Sequence, residues 1–295
     1  QSGSEWAAQS VAELSSLDNV RLMNRTTIYG AFDHGIYGAV ERMTDHLSAS
    51  SGNPRQILWR VYSKRTVLAA GATERSIAFG NNDRPGIMLA GSVRAYVNRW
   101  GVTPGKRIAV FTNNDDGWRT AHDLSAKGIE VAAVIDVRDQ PAPTELPTTE
   151  ITTSSKVVNA AGRKGLKSIQ LTNGQNIRVD CLAIAGGWSP NVHLTCHHQG
   201  KPIWRDDIAA FGPGDNLPVG MAVAGAANGS MTLTAALSEG HEAGKAAAVT
   251  TGRKPTAALA ACANEESSAV QAFWYVGESK ARAWLDLQND VTVKD

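Results

Sequence analysis

Three short stretches carry residues whose type and spacing could do chemistry. The first is "VFTNNDDGW", residues 110 to 118, where a strand runs into a helix. Such a junction can cradle a dinucleotide phosphate if glycines bring the backbone close and the helix N-terminus aims its free N–H groups at the ligand. The three glycine slots here hold Thr112, Asn114 and Gly117, so only the third is glycine. Asp115 and Asp116 stand where phosphates would sit, and carboxylates repel phosphate. They equally suit the positive end of a helix in a unit kept for structure. Asp136, at the end of the next strand, has the position of a ribose-binding acid.

The second stretch is "AVAGAANGSMTLTAALSEG". A strand over 220–224 ends at Ala224, Gly225 allows a close backbone approach, and a helix starts near Ser230 to Thr232. Its free amides can face an anionic or carbonyl-bearing ligand, or the junction is an ordinary turn with Ala and Gly chosen for packing. The third is "TCHHQG", with Cys196, His197 and His198 adjacent. Adjacent ligands on one loop lack metal-site spacing and no second pair is in sight, so solvated loop residues and no metal are expected. No Ser/His/Asp triad or carboxylate pair stands out, and no catalytic residue is assigned.

The elements that must position these stretches are those of an α/β protein. "SEWAAQSVAELSSL" spaces Trp6, Val11, Leu14 and Leu17 as an amphipathic helix, with Ser4 a plausible cap. "NVRLM" reads as a short strand. "TTIYGAF", "IYGAVERM" and "QILWRVYS" read as an antiparallel meander. "TVLAAGATERS" is a buried strand, Val67 to Ala70, running into Gly71. "IMLAGSVRAYVNRW" is helical. Residues 107–136 then read as strand 107–112, helix 117–127, Gly128 and strand 129–135, a βαβ unit of dinucleotide-binding type. Gln140 to Thr149 is a Pro/Thr-rich loop, followed by strands in "TSSKVV", "LKSIQLT" and "IRVDCLAIAGG". After Lys254 the chain reads as helical and polar.

Bulk properties narrow the classes. The 295 residues suffice for two domains, and a formal charge of +1 leaves no electrostatic footprint for nucleic acid or an anionic membrane. No apolar run reaches the roughly 18 residues of a membrane span. Three scattered cysteines, Cys181, Cys196 and Cys262, suit a reducing cytoplasm rather than a disulfide framework. The chain opens on Gln1 and ends at "DVTVKD", which reads as a piece of something longer.

The order of blocks resembles the flavoprotein-type oxidoreductases with two dinucleotide-binding domains. "TVLAAGATERS" and "VDCLAIAGGWSPN" are similar to their two domain crossings, and "AVAGAANG" to their last motif, usually Ala-Gly-Asp. "NNDRPGIMLAGSVRAYVNRWGV", "VFTNND" and "WLDLQNDVTVKD" resemble the alpha subunits of heterotetrameric sarcosine oxidase, with the related subunit of N-methylglutamate dehydrogenase a close second. The resemblance implies two interleaved FAD/NAD(P)-type, three-layer ββα domains with a β-meander, followed by the start of a helical segment. It divides the chain into 1–83 (first domain, lacking its N-terminal βαβ), 84–184 (second domain), 185–252 (return to the first) and 253–295 (helical linker). It implies NAD in the first domain, where relatives hold FAD. Ala226 replaces the acid that holds a ribityl chain, which NAD lacks. By the same resemblance Thr27 would contact adenine, and Gly225, Ala226, Met231 and Leu233 would line the far side. FAD and FMN would belong mainly to the beta subunit, with gamma and delta subunits completing the assembly. Sarcosine would be demethylated, its one-carbon unit passing to tetrahydrofolate.

Overall fold

The βαβ unit read from the sequence forms the centre of the largest sheet. The computed structural model describes residues 2–48, 52–140, 146, 149–255, 258–260 and 267–295. Helix α1 spans Gly3–Ser15, and a meander follows in β1 (Thr26–Phe32), β2 (Ile36–Arg42) and β3 (Gln56–Tyr62). Strands β4 (Thr66–Leu68) and β5 (Ala72–Glu74) lead to β6 (Ile87–Leu89) and α2 (Ala90–Trp100). The βαβ unit is β7 (Arg107–Thr112), α3 (Asp115–Ala126) and β8 (Glu130–Asp136). Next come β9 (Glu150–Thr152), β10 (Val157–Ala161), β11 (Ser168–Leu171), β12 (Asn176–Arg178), β13 (Cys181–Ala185) and β14 (Trp188–Pro190). The chain closes with β15 (Ile203–Arg205), β16 (Ala210–Gly212), β17 (Met221–Val223), α4 (Leu233–Thr250), β18 (Trp284–Asp286) and β19 (Val291–Thr292).

The five-stranded sheet runs β6-β13-β7-β8-β9, all parallel. Its middle strands are apolar on both faces because both faces are covered. Ile108 and Val110 of β7 pack with Val93, Trp118, Ala121 and Leu124 of the helices. Ala109 and Phe111, pointing the other way, pack with Ile169, Leu171 and Ile177 of the antiparallel β10-β11-β12 sheet. Helices, parallel sheet and the antiparallel β10-β11-β12 sheet are the three layers that the resemblance implies. "IRVDCLAIAGG", read as one strand, is two: the Asp180 carboxylate between β12 and β13 accepts the Lys106 and Arg107 amides at 3.0 and 2.9 Å.

The first domain is assembled from distant pieces. Its meander β1-β2-β3 packs Ala31 and Tyr37 against Leu68, Met221, Val223 and Ala227. Strand β4 pairs in parallel with β17, and β5 pairs antiparallel with β14, so the chain leaves this domain after β5 and returns through β14. The family resemblance implies interleaved domains of this kind. Neither α1 nor α4 buries a residue, and Trp6, Val11, Leu14 and Leu17 stay exposed.

Several sequence expectations need correction. "NVRLM" is turn and coil, and the chain enters β1 only after Arg25, which has φ 58°. The cap of α1 is Ser2, not Ser4: its hydroxyl accepts the Glu5 amide at 3.3 Å and Glu5 returns a bond to the Ser2 amide at 2.8 Å. Among the described residues, 253–295 contains no helix. Its run of Val270, Phe273, Trp274, Tyr275 and Val276 favours extended backbone, with Ala78 bridging Tyr275, and β18 pairs with β19 as a hairpin. Most of the Pro/Thr-rich loop, 141–145 and 147–148, and Cys262 lie outside the described residues.

Glu74 ties the two domains together. It lies in β5, yet its Oε2 accepts the amide of Gly91 in the first turn of α2 at 2.8 Å. Helix α2 has no side-chain cap of its own at Leu89, so this carboxylate takes that part. Its Oε1 is buried without a partner. Burial pushes the Glu74 carboxyl up to about 7, helped by Asp116 and opposed by the Gly91 amide and Arg94.

Two expectations follow from this packing. An added Cβ on Gly117 would stand 2.3 Å from Thr112 Oγ1 and 2.4 Å from Thr112 Cβ. Gly117→Ala should therefore lose about 1–3 kcal/mol to overpacking, less the ~1 kcal/mol that Ala gains in a helix. An unchanged urea midpoint would contradict the contact. The Glu74 carboxyl titrates near 7 when folded and near the ordinary 4.5 when unfolded. The folded state therefore binds the extra proton between these values, and that stability, full below the lower pKa, is lost as pH rises through the upper one. Glu74→Gln should lose less stability than the wild type between about pH 5 and about pH 8; parallel denaturation curves would refute the burial of this charge.

Candidate functional site

Two strand-to-helix junctions could receive a dinucleotide, and the structure treats them differently. At the first, β7 passes into α3 through Asn113 and Asn114. Asn114 is the N-cap, accepting the Asp116 amide at 2.9 Å. A residue in a glycine slot is thus serving as a cap. Thr112 Oγ1 donates to the Asn114 carbonyl at 2.8 Å and accepts its amide at 3.0 Å.

The space in front of this helix end is filled by the chain itself. Residues 267–273 lie across it. The Asp115 amide donates to the Ala269 carbonyl at 3.1 Å, and the Ala269 amide donates back to Asp115 Oδ2 at 3.0 Å. The Gln271 amide donates to the Asn113 carbonyl at 2.9 Å. Asn113 Nδ2 reaches the carbonyls of Gln271 and Phe273 at 2.8 and 3.0 Å. Val270 forms an antiparallel bridge with Asn114.

The acid in the ribose position is engaged too. Asp136 is buried and accepts the Trp118 indole N–H at 2.7 Å and the Arg138 guanidinium at 2.8 Å. Arg138, also buried, donates as well to Asp115 Oδ1 at 2.8 Å and to the Ala269 carbonyl at 3.0 Å. Burial alone would raise the Asp115 pKa, but the Ser267 hydroxyl, Arg138 and the Ala269 amide outweigh it and hold the carboxyl below its ordinary value. Arg138 is likewise kept charged by its two carboxylates against burial. Asp116 Oδ1 meets Arg94 at 3.2 Å and Arg119 at 3.1 Å, while its Oδ2 is buried without a partner. What space remains is a cavity of about 40 Å³ lined by Asn114, Asp116, Trp188, Ile208, Met231 and Val270. That volume suits a few waters, not a dinucleotide.

At the second junction, β17 into α4, the turn residues Gly225, Ala226 and Met231 are half-buried and exposure begins at Leu233. Gly225 takes φ +70° and begins a short 3-10 turn to Asn228. Its amide donates to Glu239 Oε2 at 2.7 Å, and Asn228 Nδ2 bonds the other oxygen of the same carboxylate. Thr232, as N-cap, accepts the Ala235 amide at 3.3 Å. Leu233 in the first turn is 47% exposed. Gly225, Ala226, Met231 and Leu233 therefore share one turn and helix start, with Met231 also reaching the small cavity between the domains. Thr27 is elsewhere, on the exposed first half of β1 opposite Val40. Because Glu239 takes the Gly225 amide, this turn does not offer that amide to a phosphate. Contacts to a ligand would come from Ala226 and the start of α4.

The Cys196–His198 loop is used internally. His197 Nδ1 accepts the Ala31 amide at 3.1 Å, His198 faces Asp33 at 3.6 Å, and the Cys196 thiol lies 3.5 Å from the Val192 carbonyl. Among the described residues no three His, Cys, Asp or Glu side chains converge as metal ligands. No described helix is long and apolar enough to cross a membrane. Sequence reasoning missed the segment over α3. Its signal was the dense β-favouring run "VQAFWYVG" in a tail otherwise read as polar.

No family model matches the chain. It is 38% identical over 301 residues to the sarcosine oxidase subunit alpha of Rhizobium meliloti (strain 1021), with all of this chain aligned to 30% of that protein. The corresponding subunit of Corynebacterium sp. (strain P-1) is 35% identical over 319 residues, 33% of its length. The L-proline dehydrogenase from P. horikoshii matches with a TM-score of 0.62 at 22% identity, over 84% of this chain and 46% of that one. The T. acidophilum thioredoxin reductase matches with a TM-score of 0.57 at 15% identity, over 84% and 79%. These two structures share its fold, that of the FAD/NAD(P)-binding oxidoreductases. The chain spans about a third of the length of the curated relatives it matches. Along its whole length, the chain is related in sequence to about a third of the sarcosine oxidase alpha subunits.

Proposed function

We propose that this chain is the NAD-holding part of a sarcosine oxidase alpha subunit. The observation that carries the reading is the contrast between the two helix ends: α3 is covered by residues 267–273, while at the start of α4 Leu233 is exposed and Gly225, Ala226 and Met231 are only half-buried. Its residues fit one end of NAD. An added Cβ on Gly225 would meet only the Ala236 methyl, at 3.7 Å, so its positive φ rather than crowding calls for glycine there. Ala226 leaves the turn without a carboxylate of its own, and Glu239, tied to Gly225 and Asn228, holds its shape. Met231 and Leu233 supply apolar surface beside it.

NAD, when bound, supplies a hydride acceptor. The chain's own residues do no chemistry in this proposal; they bind, orient and scaffold. The reaction of the whole assembly is the oxidative demethylation of sarcosine, in which oxygen is reduced to hydrogen peroxide, glycine is released and the methyl carbon, oxidised to the formaldehyde level, passes to tetrahydrofolate. FAD and FMN, and the amine site, lie mainly on a beta subunit, and gamma and delta subunits complete a cytoplasmic heterotetramer. The relatives named for this activity, and the fit of Ala226 to a dinucleotide without a ribityl chain, support the reading.

The test is the dinucleotide content of the full-length protein after denaturing extraction. NAD is expected, and FAD held by this subunit in its place would overturn the assignment. Ala226→Asp adds a carboxylate beside a ligand that already carries two phosphate charges. It should lower NAD retention about tenfold or more, the effect of roughly 1.4 kcal/mol. Undiminished NAD in the folded variant would remove Ala226 from the site.

A further inference from the structure

The segment 267–276 does more than cover a helix end: it touches both domains. On the second domain it holds the Asp115, Asn113 and Arg138 contacts already described, and the Arg119 guanidinium donates to the Ser267 carbonyl. Asn113 is wholly buried, and three of the carbonyls its side-chain amide meets, Gly186, Gln271 and Phe273, belong to the returning chain and this segment. Farther along, the segment pairs with the connection between domains. The Ala78 amide donates to the Trp274 carbonyl at 2.8 Å, and the Val276 amide donates to the Ala78 carbonyl at 2.9 Å. Val276 is fully buried in the core beneath the parallel sheet, and Phe273 packs against that core.

The other end of the contact lies on the first domain's returning chain. The Trp274 ring packs edge-to-face on Trp204 of β15, with centroids 5.8 Å apart and planes at 86°. Arg75, just past β5, sits 5.3 Å over the same ring. Its Nη1 donates to the Ala209 carbonyl at 2.9 Å, whereas its Nε and Nη2 are buried with no hydrogen-bond acceptor. The Trp274 ring is within cation–π range of this guanidinium as a whole.

We propose that residues 267–276 are an internal staple that fixes the relative orientation of the two domains. Two domains joined only by paired crossings such as β5 and β14 are expected to move relative to one another unless a large or specific contact prevents it. The staple supplies that contact. It occupies the place where a dinucleotide would bridge the same elements, so the second domain contributes rigidity in place of ligand binding. The inference does not depend on which ligand the Gly225 turn holds.

The orientation can be read directly in the full-length protein by pulsed electron paramagnetic resonance. Spin labels would be placed at the exposed Lys127, which ends α3, and the exposed Arg60 in β3, in a background carrying Cys196→Ser and Cys262→Ser. A single narrow distance distribution is expected. Trp274→Ala, which cuts only the first-domain end of the staple, should broaden it, and Asn113→Ala with Trp274→Ala should broaden it further. Trp100→Ala, exposed on α2, should leave it narrow. A distribution that stays narrow in the folded Trp274→Ala and double variants, or is broad in the parent, overturns the proposal. If the double variant does not fold, hydrogen exchange on the unmodified protein decides. The amides of Gln271, Val276 and Ala78 should exchange roughly a thousandfold or more slower than an unstructured chain, in step with Val110 in the central sheet. Exchange of these three at the rate of a frayed terminus overturns it equally.

Discussion

Asn113 is the residue on which the arrangement turns. It sits wholly buried at the end of β7, with both backbone groups and the side-chain amide bonded to chain more than seventy residues away. A buried amide without partners would cost on the order of 1–3 kcal/mol. Meeting that requirement sets where the chain returning from β13 must run and where the tail must cross. The neighbouring Asn114 repeats the logic, reaching Asn113 Oδ1 and the Ala185 carbonyl with one nitrogen and capping α3 with the oxygen. Asn114 thus stands in a glycine slot of a phosphate-binding junction, and the amide of Asn113 beside it is taken by the Ala185 carbonyl.

The charges around α3 form one network. Asp115, Asp116 and Asp136 face Arg94, Arg119 and Arg138, and backbone amides and carbonyls of residues 267–269 take further bonds, while Asp116 Oδ2 stays buried without a partner. Aspartates at the positive end of a helix are favourable in their own right. Asp115 and Asp116 give the helix end the negative partner that a phosphate would otherwise be, and the arginines balance their charge. At α4 the corresponding balance is much lighter, one glutamate bonded to a turn amide and a side chain, and the helix start faces solvent.

Local signals carried most of the fold. The βαβ unit was legible because strand, helix and strand each bury a continuous apolar face, and the structure matches the expected ends within two residues. The interleaving was legible only through resemblance, since nothing in "MAV" or "TVL" says that these two short strands pair with each other. The grouping of Gly225, Ala226, Met231 and Leu233 follows from their adjacency in sequence, whereas Thr27 is placed by the meander and carries no local signal. The staple was illegible for a different reason. Its stability lies in pairings with residues 113 and 78; the run "VQAFWYVG" signals extended backbone but says nothing of those distant partners.

The interleaved pairing also has a consequence for how the chain comes together. Asn113 and Gln271 are 158 residues apart, and β4 must wait for β17. Closing a loop of that length costs roughly 4.5 kcal/mol of chain entropy before any contact repays it. Residues 86–185, by contrast, hold a whole parallel sheet with both its layers. During synthesis this middle block can condense while the meander ahead of it still lacks its parallel partner, so the part of the molecule made first is completed after the part made second. Until β17 emerges, the apolar sides of Leu68, Ala31 and Tyr37 are without the residues that cover them. That interval is when the nascent chain is most open to a chaperone or to a wrong neighbour.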